Sequence, residues 1–215
     1  MKIFKILALA FFLPAAALSA AAAQDYAAKK FDLEGSSFPL KMAAINFLKA
    51  DSSSTARALL VDRLEKETDI YIKTQLIEAV NVNWSTGALA AVLPFLDDAN
   101  PAVQQSAVIS LSRYGPFDRL LPRLEKTLAS SSTKAGVRNT IVNAFSLRPT
   151  TSSVAALDRA AGDEKHPEGT RHLAIIGLDK AGTKDARDRA VKHSGDKSPA
   201  IRDEVKKISK KKISK

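Results

Sequence analysis

Asn100-Pro101-Ala102-Val103-Gln104-Gln105-Ser106-Ala107-Val108-Ile109-Ser110-Leu111 decides the fold of this chain. Asn100 offers a side-chain oxygen to the unpaired N–H groups of a helix start. Pro101 follows at the first helical position, where a missing N–H costs nothing. Counted from Gln104, Ala107, Val108 and Leu111 stand at +3, +4 and +7, on one face of an α-helix. The same spacing opens at Lys41, Lys73, Gln104, Arg138, Arg171 and Arg202; subtracting those numbers gives steps of 32, 31, 34, 33 and 31 residues. Ala44, Leu76, Ala107, Ile141, Ala174 and Val205 hold +3. Ile45, Ile77, Val108, Val142 and Ile175 hold +4, where Lys206 breaks the series; Leu48, Val80, Leu111, Phe145 and Leu178 hold +7. One helix type repeated at such a period marks a solenoid.

Each interval carries a second stripe. Leu59, Leu60 and Leu64 fill the first, Leu89, Val92, Leu93 and Leu96 the second, and Leu120, Leu121, Leu124 and Leu128 the third. Val154, Leu157 and Ala161 are weaker, and Ala186, Ala190 and Val191 weakest. Each repeat therefore reads helix A, short turn, helix B. Asp69, Asn100 and Ser198 each precede a marker by four residues, as caps. Gly115 is expected to supply a positive φ in the turn 113–117. Trp84 is expected to pack into a helix junction.

The pattern resembles HEAT repeats, the helical pairs of the armadillo-like superfamily. Leu93-Pro94-x-Leu96 and Leu121-Pro122-x-Leu124 resemble the proline-containing first helix of such a unit. Asn100-Pro101-x-Val103-Gln104-x-x-Ala107, Gly136-Val137-Arg138 and Ala200-Ile201-Arg202 resemble the second-helix signature. The resemblance covers about residues 38 to 209. It implies an all-α fold, a right-handed superhelix of about five helical pairs over 38–205, with the B helices lining its concave side. HEAT units serve scaffolds, transport receptors, regulatory subunits and some bilin lyases. The long markers are expected to bond carbonyls or acids of neighbouring repeats and so fix the stacking.

The ends differ from the middle. Lys2 and Lys5 flank a charge-free run, Ile6 to Leu13, and Ala21-Ala22-Ala23 fits a small-x-small cleavage site. Residues 1–23 therefore read as a secretory signal, followed by a lead segment 24–37. The remainder is expected to be exported, periplasmic or secreted in a bacterium, with no later membrane span. The 215 residues hold no cysteine, so the core acts without disulfides. The formal net charge is +10, and 12 basic against 5 acidic residues from 182 onward supply +7 of it. The tail 206–215 carries Lys206, Lys207, Lys210, Lys211, Lys212 and Lys215, a possible handle for an anionic envelope surface or polymer. Nucleic acid is not expected, since no aromatics interleave with these cations.

Outward positions of the B helices are taken as +1, +5 and +8. Among them, Asn46, Thr74, Asn81, Gln105, Ile109, Asn139, Asn143, His172 and Ile176 are expected to meet a protein or peptide partner, because amides both donate and accept. The three histidines are isolated, and no metal, phosphate or nucleophile motif is present. Neither a cofactor nor a metal is expected, and the chain reads as a non-enzymatic scaffold or adaptor.

Overall fold

Helix starts are where the cap residues put them. Asp69 accepts from the Ile72 N–H at 2.9 Å, Asn100 from Ala102 at 2.9 Å and Ser198 from Ile201 at 3.3 Å. Ser53, Ser85, Thr150 and Thr183 cap other helices in the same way. The result, in a computed structural model that describes residues 15–82 and 85–211, is all-helical. The expected signal run from Lys2 to Leu13, Trp84, and the tail residues Lys212 and Lys215 lie outside the described residues.

The B helices are α2 (Phe38–Ala50), α4 (Ile70–Val82), α6 (Pro101–Tyr114), α8 (Ala135–Leu147), α10 (Glu168–Ala181) and α12 (Pro199–Lys210). The A helices are α1 (Ala15–Glu34), α3 (Ser54–Lys66), α5 (Thr86–Val92, continued by a 3-10 turn at Leu93–Asp97), α7 (Phe117–Ala129), α9 (Thr151–Gly162) and α11 (Lys184–Lys192). Consecutive B helices pack together, and the A helices form a second layer against them. This is an α-solenoid. The five expected pairs, α3–α4 to α11–α12, are joined by a sixth, α1–α2, to which the lead segment belongs. Tyr26 ties α1 to the α2–α3 turn by bonding Asp51, and Ser53 at 2.9 Å.

The residues at +3, +4 and +7 form the core between the layers. Ala44, Leu76, Ala107, Ile141, Ala174, Ile175 and Phe145 are all fully buried. Gly177 lets α10 come close to α8 and α9: a Cβ there would stand 2.3 Å from Ser146 Oγ and 2.9 Å from a Leu157 methyl. The left-handed turn falls at Gly182, φ 71°, and not at Gly115, whose φ is −84°. The α6–α7 junction is instead held by Arg148, whose Nη1 donates to Ser112 O at 2.7 Å and Gly115 O at 3.3 Å. A cation is favoured there, among the last carbonyls of α6.

Three markers bond the A-to-B turn of their own repeat, which corrects the expected ladder between repeats: Gln104 donates to Leu96 O at 3.0 Å, Arg138 to Ser130 O at 2.8 Å and Arg202 to Asp196 O at 2.7 Å. Lys41 and Arg171 instead reach forward, to Glu67 and Asp196, each six residues before the next marker.

The Lys-rich tail begins inside a helix: α12 runs past Lys206 to Lys210. Ile201, Val205 and Ile208 keep an i, i+4, i+7 face, and Ile208 is fully buried. Lys211 then pairs with Asp179.

Candidate functional site

The outward arc of the B helices follows from helix geometry. At about 100° per residue, +8 falls only about 80° from the core direction, while +5 falls near 140° and +9 near 180°. A B helix also has a B neighbour on each side, so its flanks are covered. Asn81, at +8, is accordingly buried, which corrects its assignment to the partner face. Its amide donates to Ser110 Oγ at 2.9 Å, and Ser110 donates to Ile77 O at 3.2 Å, so these side chains seal the α4–α6 seam. Ser112 and Ser146, also at +8, are buried too.

Residues at +1 are half-buried. Thr74 bonds Tyr71 O within its own helix at 2.7 Å. Asn139 accepts from Thr170 across the α8–α10 seam at 3.0 Å. Gln105 lines a groove with Thr74. His172 has an enclosed Nε2 with no hydrogen-bond partner among the described residues. At +5, Asn46, Ile109 and Asn143 are exposed, and Ile176 is half-buried.

Two grooves adjoin on this face. One, of about 390 Å³, lies between α4 and α6 and is lined by Thr74, Gln75, Glu78, Gln105, Ser106 and Tyr114 among others. The second, of about 530 Å³, lies between α6 and α8 and is lined by Ile109, Ser112, Arg113, Thr140, Asn143, Ala144, Leu147 and Arg148. Ile109 and Arg113 border both. Leu147 is 79% exposed and Ile109 48%. Of the expected partner residues, the structure brings Ile109 and Asn143 together, and it leaves Asn46, His172 and Ile176 outside both grooves. Arg113, Leu147 and Arg148 were not expected. The signal for Leu147 is present in the sequence, since a leucine at +9 is off the core register.

The basic tail carries Lys206, Lys207 and Lys210 on the surface of α12. Lys206 pairs with Asp203 at 3.2 Å and Lys207 with Glu204 at 2.9 Å. Exposed pairs of this kind are weak and leave both partners accessible. Among the described residues no group of three or more metal-ligating side chains converges, and no helix is long and apolar enough to cross a membrane.

No family model matches the chain, and no curated protein matches it in sequence. Among solved structures it is similar to human deoxyhypusine hydroxylase in complex with glycerol, with a TM-score of 0.42 and 12% identity, over 89% of this chain and 96% of that one. That neighbour is an enzyme with a helical-repeat fold. It corrects the expectation, drawn from the repeat and from the lack of catalytic motifs, that the chain is non-enzymatic: helical repetition does not exclude catalysis. A likeness this slight brings no activity and no residue role to this chain.

Proposed function

We propose that the chain is a HEAT-type scaffold that docks a protein or peptide on the face formed by its B helices, and that it works outside the cytoplasm. One observation carries the reading: two large apolar residues off the core register, Ile109 and Leu147, stand exposed across a groove on that face. Neither contributes to the buried layer between A and B helices. Apolar side chains exposed around a concavity are typical of binding surfaces. The two grooves also carry the amides of Gln75, Gln105 and Asn143, which suit a peptide backbone.

The test is affinity capture from native envelope extract with the full chain and with the double substitution Ile109→Asp/Leu147→Asp. A specific partner should be retained by the first and lost by the second. Equal retention by both sinks the B-face reading.

A further inference from the structure

We propose that the α6–α8 groove takes one large apolar side chain of an acidic peptide segment, with a hydrogen bond to Ser112 and a carboxylate placed on Arg113. This rests on the B-face reading and narrows it to one site and one partner chemistry.

Three independent features converge. The first is Ser112, whose hydroxyl is enclosed and has no hydrogen-bond partner among the described residues. The residue is 7% exposed and lines the groove. Its +8 counterparts are bonded at least once: Asn81 donates to Ser110 Oγ, although its Oδ1 has no partner among the described residues, and Ser146 donates to Val142 O at 2.9 Å. Buried polar groups are nearly always paired, so an orphan beside a concavity points to an absent partner. The hydroxyl both donates and accepts, so a peptide carbonyl or N–H that reaches it from the groove satisfies it.

The second feature is the wall. Ile109, Ala144 and Leu147 present apolar surface, and the volume of about 530 Å³ exceeds what one side chain fills. The occupant therefore brings the backbone on either side of its apolar residue.

The third is charge. Arg113 and Arg148 line the groove, and among the described residues no carboxylate does. Arg148 is held by Ser112 O and Gly115 O, so its charge is fixed there. The Arg113 side chain is 60% exposed, with Glu78 4.0 Å away. It can swing to a ligand carboxylate at little loss. A second copy of this chain is a poorer occupant, because each copy carries a net charge of +10.

The experiment is a selection of random displayed dodecapeptides on the immobilised full chain, followed by fluorescence anisotropy of the enriched peptides. They are titrated against the parent, Leu147→Asp, Arg113→Glu, Ser112→Ala, Asn46→Arg and Ile176→Arg, with circular dichroism to confirm folding. The enriched peptides should share a large apolar residue near Asp or Glu. Leu147→Asp and Arg113→Glu should each weaken binding about tenfold or more, as interface anchors do. Arg113→Glu should also flatten the salt dependence. Ser112→Ala should weaken binding about three- to tenfold, the worth of one hydrogen bond, with an unchanged melting temperature.

Enriched peptides without acidic residues overturn the charge assignment. Peptides that bind Leu147→Asp and Arg113→Glu as tightly as the parent overturn the groove. If those peptides lose affinity for Asn46→Arg or Ile176→Arg, the B-face reading survives and only the groove fails. Insensitivity to every variant, or no enrichment at all, overturns both.

Discussion

The middle of the solenoid and its C-terminal end solve the same packing problem with different chemistry. In the middle, α7 and α8 bury Leu120, Leu121, Leu124 and Leu128 against Ile141, Val142 and Phe145. At the end, α11 and α12 bury only Ala186, Ala190, Ile201, Val205 and Ile208. What the end has instead is charge. Arg189 bridges Asp158 at 3.0 Å and Asp185 at 2.9 Å, and His193 reaches Asp158 at 3.0 Å. Apolar burial stabilises by about 25 cal/mol per Å², whereas an exposed ion pair contributes about 0–1 kcal/mol. The end is thus a polar cap, less stable and more sensitive to salt than the middle, as terminal repeats generally are.

The sharpest way to break this contrast is Val142→Asp. Val142 is fully buried, and an unpaired charge there costs several kcal/mol against a total of roughly 5–15. Denaturant unfolding should show loss of most of the array. A midpoint near that of the parent would mean that the middle is not the source of stability.

A smaller effect is expected from Arg171→Ala, which leaves the nearly enclosed Asp196 without its cation. Removing one partner of such a pair costs about 3 kcal/mol. Amide exchange should speed up in α11 and α12 while residues 104–112 and 138–146 stay protected. Equal acceleration in both regions would show one cooperative unit.

Glu67 gives a pH signature to the N-terminal half. Burial pushes its carboxyl upward, but the Asp69 N–H, Arg63 and Lys41 outweigh that and draw it from 4.5 down to about 2. A depressed acid stabilises the fold fully above about pH 4.5, and that contribution is lost as pH falls toward 2. Melting curves of the parent should therefore fall more steeply over this window than those of Glu67→Gln. Identical pH profiles would remove Glu67 from the account.

Below this comes the terminus. Lys210 and Lys211 should exchange fast, while Ile208 exchanges more slowly because it is buried. A truncation that probes anion binding by the tail must begin after Lys211, since cutting at Lys206 removes Ile208 from the core. A chain ending at Lys211 should keep its helical signal and bind anionic vesicles more weakly; unchanged vesicle binding removes Lys212 and Lys215 as a handle. The smallest effect is Asn143→Asp. It is exposed, one residue from Val142, and should shift stability by under about 0.5 kcal/mol. A loss close to that of Val142→Asp would show the helix register to be wrong.

The sequence by itself determined the repeat, the caps and the core register. Period, capping oxygen and apolar spacing are local properties, and residues at +3, +4 and +7 have no alternative to the inter-layer core. It also carried the off-register apolars Ile109 and Leu147, visible once the period was known. Only the tertiary structure decided which polar positions remain outside. Asn81 and Asn143 look equivalent in composition, yet the first seals a seam and the second faces a groove, because neighbouring B helices cover the flanks of each helix. The forward reach of Lys41 to Glu67 and of Arg171 to Asp196, and the hold of Arg148 on the end of α6, joins residues 25 to 36 positions apart. No local pattern encodes such pairs, since they arise only when one repeat is laid on the next.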